Sequence, residues 1–248
     1  MRAPAGMKPL LLLLVLVTAL AAAAAAAPKP ATPKPGGLKP PIPAFDPVGF
    51  AAMVDNPYFP LRPGTVLVYE TRGGRAPDTD SVAVTRETRV ILGVAALGVR
   101  TRSFRGGKLA AERHDWYAQD RKGNVWILAR AARVPRDSLA ADTTGSWEAG
   151  RDSACAGIAM PAVPDVGMDY RRGYRRGAVE DVAEVLGLDA KVLAMNETFT
   201  ACVETEEWSA LGHGPREQKV YAPGLGLVSR RTVTGMGEWT KLVKVIVP

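Results

Sequence analysis

Residues 114–130, HDWYAQDRKGNVWILAR, constrain the fold more than any other stretch of this chain. Two apolar-aromatic runs, residues 115–119 and 125–129, flank a polar turn at residues 120–123. Asp at the first turn position and Gly at the fourth fit a type I turn closed by a left-handed residue, a common hairpin connection. Asp120 accepts hydrogen bonds from the turn amides, and Gly123 takes a positive φ without a Cβ clash. The centre of the chain is therefore a β-hairpin.

The N-terminus reads as an export signal. Arg2 and Lys8 form a basic region, residues 10–20 an apolar one, and residues 21–27 are alanines suited to cleavage. The predicted domains are a signal peptide over 1–27, a stiff extended linker over 28–43 (PKPATPKPGGLKPPIP) and one β domain over 44–248. An uncleaved leader acting as a membrane anchor is the alternative. The expected location is periplasmic or secreted. Net charge is +7, but five basic residues and no acid precede position 44, and the remaining 27 basic residues face 25 acidic ones. That excludes a nucleic-acid footprint and leaves a basic Pro/Lys linker suited to contact with the cell envelope.

Downstream the chain reads as short β segments separated by turns. Residues 64–72, 82–92 and 99–104, then the central hairpin, then 168–177, 199–208, 218–222, 225–234 and 239–247 all carry β formers. Turns are predicted at 93–98 and 106–107, and Val82, Val84, Arg86 and Thr88 are predicted to share one face. Residues 178–186 (AVEDVAEVL) also fit helical spacing. Two echoes favour a strand there. Tyr117-Ala118 followed by Gly123 and Val125 matches Tyr221-Ala222 followed by Gly226 and Val228, and ETRVILG ending at Gly93 matches AEVLG ending at Gly187. The predicted fold is all-β: an antiparallel meander forming a barrel or strongly curved half-barrel, built from an internal duplication.

DWYAQDRKGNVW, GSWEAG, DNPYFPLRPGTVLVYE and YAPGLGLV resemble a group of exported bacterial proteins of uncharacterised activity, over most of the folded chain. The resemblance implies export and a β-rich fold, and no activity. The meander and the YAPGLGLV hairpin more weakly resemble periplasmic lipid-carrier half-barrels, which implies an apolar ligand. DRKGNVW also looks like a β-propeller hairpin, but it occurs once and a propeller needs it repeatedly.

No motif carries a reaction. GxSxG, HExxH and a P-loop are absent, His114 and His213 lack metal-ligand spacing, and no cofactor is expected. Glu180, Asp181 and Glu184 offer a carboxylate pair, against the simpler reading of a solvated strand face. Tyr170, Arg172, Tyr174 and Arg176 alternate, which places them on one face as a ladder for an anionic head group, or as a wet outer face. Trp126 and the other strand tryptophans are expected in the interior, and Trp147, in a polar loop, at a mouth or lid. Cys155 and Cys202 either form a disulfide worth about 3–4 kcal/mol in the loop-entropy model or are unrelated buried thiols. The leading function is an exported, non-enzymatic binding protein for an apolar or amphipathic small molecule. An envelope structural or interaction protein without a small ligand is the alternative, and an enzyme ranks third. A cavity of several hundred Å³ favours binding, and a filled barrel favours the alternative.

Overall fold

Three of the tight turns consist of two consecutive residues with positive φ: Leu92–Gly93 (50° and 81°), Gly106–Gly107 (54° and 78°) and Met195–Asn196 (51° and 62°). Such turns have the twist of the strands they join, so each closes a long antiparallel hairpin. The computed structural model describes residues 39–73, 78–133, 145–212, 214–233 and 238–248. The leader, residues 28–38 of the linker and His213 lie outside the described residues. The strands are β1 (Val66–Arg72), β2 (Asp78–Ile91), β3 (Val94–Arg105), β4 (Lys108–Gln119), β5 (Val125–Arg133), β6 (Trp147–Glu148) and β7 (Gly157–Met160). They continue with β8 (Asp169–Arg175), β9 (Val179–Ala194), β10 (Glu197–Ser209), β11 (Glu217–Ala222), β12 (Gly226–Thr232) and β13 (Trp239–Ile246). Of residues 178–186, where helical and strand spacing coincide, all but Ala178 are thus in a strand.

The strands form one antiparallel sheet in the order β6-β5-β4-β3-β2-β1-β13-β12-β11-β10-β9-β8, with β7 on β5. The sheet curls into a nearly closed barrel whose seam lies between β8 and the segment around β7. There the Cys155 amide donates to the Tyr174 carbonyl at 2.8 Å. A Cβ on Gly157 would stand 2.4 Å from the backbone carbon and oxygen of Arg172, and one on Gly173 would stand 3.0 Å from the Trp147 ring. Two glycines let the edges meet.

The halves repeat a succession of hairpins, β2-β3-β4-β5 and β9-β10-β11-β12. The register corrects the sequence alignment. Gly187 lies inside β9, and the counterpart of the Leu92–Gly93 turn is Met195–Asn196. From the second turn residue to the tyrosine is 24 residues in one half and 25 in the other, so the two spacings differ by a single residue. The expected turn over 93–98 contracts to two residues, and Gly98 belongs to β3. The expected single face of Val82, Val84, Arg86 and Thr88 also breaks. An irregularity between Val84 and Thr88 reverses the alternation, so Val84 and Ile91 are both buried while Arg86 and Thr88 are exposed.

One end of the barrel is stopped by the DNPYFP segment. Gln119 Oε1 accepts from the amides of Asp55 and Asn56 at 2.9 and 2.8 Å. Asn56 Nδ2 donates to the carbonyls of Gly123 and Pro161, and the Gly224 amide donates to the Pro57 carbonyl. Phe59 then stacks on Tyr117 at 5.2 Å and reaches Tyr221 at 6.3 Å. Both echoed hairpins therefore grip the same plug. The end of the Pro/Lys segment packs on the barrel as well: Lys39 Nζ bonds Glu180 at 2.7 Å and Arg171 Nε donates to the Pro40 carbonyl at 3.1 Å.

Candidate functional site

Alternation along a barrel strand sends every second side chain inward. Counting back by two from the echoed tyrosines gives Tyr117, Asp115, Arg113 on β4 and Tyr221, Lys219, Glu217 on β11. All six line a cavity of about 430 Å³ inside the barrel. Equivalent positions of the two halves carry opposite charge. Near the plug the walls are apolar, with Phe59, Leu61, Leu67, Val99, Ile127 and Leu227. Away from it they are charged: Arg113, Arg130, Arg172, Lys219 and Arg230 against Asp80, Asp115, Asp181, Glu207 and Glu217. The lining is thus balanced in charge, five against five.

These charges are paired. Asp115, 1% exposed, accepts from Arg113 Nε at 2.8 Å and Arg130 Nε at 2.7 Å, and the Tyr117 hydroxyl lies 3.3 Å away. Burial by itself would raise the Asp115 carboxyl, but the two guanidiniums outweigh it and hold it below the ordinary carboxylate range. Burial also lifts the Tyr117 hydroxyl to about 12. Glu207 accepts from Tyr221 at 2.8 Å and Lys219 at 2.5 Å, and pairs with Arg172. Lys219 reaches Glu217 at 3.2 Å, and Arg230 reaches Asp80 at 3.1 Å. Burial pulls the Lys219 ammonium down to about 7; Glu217 opposes this, while Arg172 and Arg230 add to it. Two buried polar atoms of the lining residues have no partner among the described residues, Trp147 Nε1 and Asp80 Oδ1.

The structure separates the residues that the sequence grouped. The expected Tyr-Arg ladder is interrupted: Tyr170 and Arg172 remain electrostatically coupled, but β8 is irregular between Arg171 and Gly173 and loses its period there. Arg172 enters the cavity. Tyr170 is buried in the core with its hydroxyl unpartnered, Tyr174 lies under the Arg171 guanidinium at 4.9 Å, and Arg176 is exposed in the turn after β8. Trp147 is no loop residue: it lies in β6, 5% exposed, lining the cavity and lying on Gly173 across the seam. Trp126 is buried on the other side of β5, against Phe45 and Phe50, with Nε1 donating to Asp120 at 2.9 Å. Trp116 and Trp208 are only partly buried and Trp239 is exposed, so the strand tryptophans do not fill the interior.

Asp120 accepts from the amides of Lys122 and Asn124, both at 2.9 Å, and Gly123 has φ +95°. Cys155 and Cys202 are free thiols. Cys155 pairs with Tyr174, which faces Glu180 on β9, whereas Cys202 faces Ala190 on the same strand. Ten residues of strand at about 3.3 Å each put them roughly 30 Å apart, far beyond disulfide reach. Of the candidate carboxylates Glu180, Asp181 and Glu184 in β9, Asp181 lines the cavity, 3.7 Å from Arg130. Glu180 is buried and paired with Lys39, so this is not a uniformly solvated face. His114 points away from the cavity, beside Glu112 and Trp116. Among the described residues no cluster of three metal-ligating side chains occurs.

The interior charges of β10, β11 and β12 escaped the sequence reading. The signal that finds them is the two-residue period counted back from the echoed Tyr-Ala pairs.

No protein-family model matches the chain, and a search of curated proteins gives no match. Among solved structures, the chain is similar to a candidate exported protein with a YmcC-like fold from Bacteroides fragilis. They share 13% identity over 80% of this chain and 99% of that one, with a TM-score of 0.45. It is also similar to a candidate lipoprotein from Parabacteroides distasonis, at 11% identity over the same shares, with a TM-score of 0.35.

Proposed function

We propose that this is an exported, non-enzymatic binding protein that holds a small amphipathic molecule inside the barrel. The observation that carries this reading is the cavity of about 430 Å³, within the range of small-ligand sites, which the barrel side chains leave unfilled. Its apolar end, at Phe59, Leu61 and Ile127, suits a short chain or ring. Its other end suits an uncharged polar group. An ionic head would have to break pairs such as Asp115–Arg130 or Glu207–Lys219, and unpaired buried charge is costly. A hydroxyl or amide instead adds hydrogen bonds to a balanced network, and Trp147 Nε1 and Asp80 Oδ1 supply an unpartnered donor and acceptor. The N-terminal leader sequence supports export.

The test is intrinsic-fluorescence titration of the protein with decanol, decanamide, octyl glucoside and decyltrimethylammonium, since Trp147 and Trp208 line the cavity. Saturable binding of the uncharged probes is expected. It should be lost when Thr101→Phe fills the cavity, while the thermal midpoint is kept. No saturable response to any uncharged probe, with nothing co-purifying in native mass spectrometry, would favour an envelope structural protein.

A further inference from the structure

A second cavity, of about 920 Å³, lies outside the barrel interior, between the segment over residues 47–63 and the β2-β3 hairpin. It shares only Pro60, Leu61 and Tyr117 with the first. We propose that this cavity is a separate binding site for a single-chain anionic amphiphile, its chain in the groove and its carboxylate or phosphate on Arg62 and Arg86.

The walls are apolar, with Phe50, Met53, Val54, Leu61, Val94 and Leu97 contributing. Met53 on the rim is 70% exposed and neighbouring Val48 76%, so apolar surface continues out of the groove. Large exposed apolar side chains grouped at a cavity mouth mark a contact site more than scattered ones do.

The charge of the lining differs from that of the barrel. Its charged residues are Arg62, Arg86 and Asp55. Asp55 accepts from Gln119 Nε2 at 2.6 Å. Neither guanidinium has an ion pair or hydrogen bond to another described residue, whereas every cation of the barrel cavity has a carboxylate partner. Arg86 reaches the turn that carries Arg62: its Nη2 would lie 3.3 Å from a Cβ on Gly64, where Pro248 also packs. Two forked donors in the lining suit a carboxylate or phosphate, and the rest of the groove offers the chain a surface away from water.

The experiment is isothermal titration of the full chain with dodecanoate, dodecyl phosphate, dodecanol, dodecyltrimethylammonium and inorganic phosphate. A dodecanoate carrying a terminal diazirine maps the chain by cross-linking. The two anionic amphiphiles are expected to bind, with cross-links within residues 50–63 and 93–97. The double variant Arg62→Gln/Arg86→Gln should weaken dodecanoate about tenfold or more and leave dodecanol within about twofold. Ala95→Trp, at an exposed position of the lining, should abolish dodecanoate binding, and Thr101→Phe should leave it unchanged, which separates this site from the barrel cavity. Equal binding of dodecyltrimethylammonium, unchanged dodecanoate affinity in the arginine variant, or cross-links confined to the barrel interior would overturn the proposal. Inorganic phosphate binding as tightly as dodecyl phosphate would overturn its apolar half.

Discussion

Gly157→Ala should open the barrel. Gly157 does not have a positive φ, so the substitution tests space alone. Its Cβ would lie 2.4 Å from the backbone carbon and oxygen of Arg172 and 2.7 Å from the Arg171 carbonyl oxygen. Ordinary contact starts near 3.4 Å, so β7 and β8 must separate by about 1 Å. The nearby bond from the Cys155 amide to the Tyr174 carbonyl is 2.8 Å and does not survive that shift. Its loss costs about 1 kcal/mol, and overpacking of a fixed backbone contact adds about 1–3 kcal/mol. A destabilisation of about 2–4 kcal/mol corresponds to a drop in Tm of roughly 5–12 °C for a domain of this size. The assay is urea unfolding at unchanged m-value together with hydrogen exchange at the Cys155 amide. Gly187→Ala is the control: no atom stands within 4 Å of its Cβ and its φ is not positive, so it should stay within about 0.5 kcal/mol of the parent. If Gly157→Ala unfolds with the parent and the Cys155 amide stays protected, the closed seam is wrong.

Asp120→Ala should cost about 2–3 kcal/mol, more than a single lost cap, because it strips the Lys122 and Asn124 amides and the Trp126 Nε1 together; Gly123→Val, at φ +95° and 3.3 Å from Ala162 Cβ, should cost about 2 kcal/mol or more, both read from urea midpoints. Asp115→Asn should cost about 3–5 kcal/mol at pH 7, since it leaves Arg130 without its buried charge partner. The folded carboxyl titrates below its unfolded value, so its stabilisation is present above the ordinary carboxylate pKa and is lost as pH falls through the folded one; the gap between parent and variant should close on acidification, and a gap that is constant with pH would refute the pairing. Thiol labelling of the denatured, unreduced protein should find both Cys155 and Cys202, and finding neither would contradict the separation along β9.

Much of the architecture is local and therefore written in the sequence. Asp120 and Gly123 form a turn wherever they occur between two β runs, because a side-chain oxygen and a missing Cβ act within five residues. The echo of Tyr117-Ala118 in Tyr221-Ala222 was equally legible, and with it the two hairpin series. What the sequence could not supply was phase. One irregularity in β8, between Arg171 and Gly173, turned an apparent Tyr-Arg ladder into a cavity cation, a buried tyrosine, a cation–π contact and an exposed turn residue, and another in β2 reversed the faces beyond Val84. A strand shows its period, but a single extra residue flips every side chain after it, and only pairing with the neighbour reveals where that happens. The barrel interior was hidden for a related reason. Charged residues read as surface until the strands are paired and the sheet curls: Asp115 faces Arg130 across the β4-β5 hairpin and Glu207 of β10 meets Lys219 of β11, and closure turns both pairs inward, where burial is tolerable because each charge already has its partner. Trp147 likewise looked solvent-facing among small polar residues, and became a core residue because the seam offered it the bare backbone of Gly173.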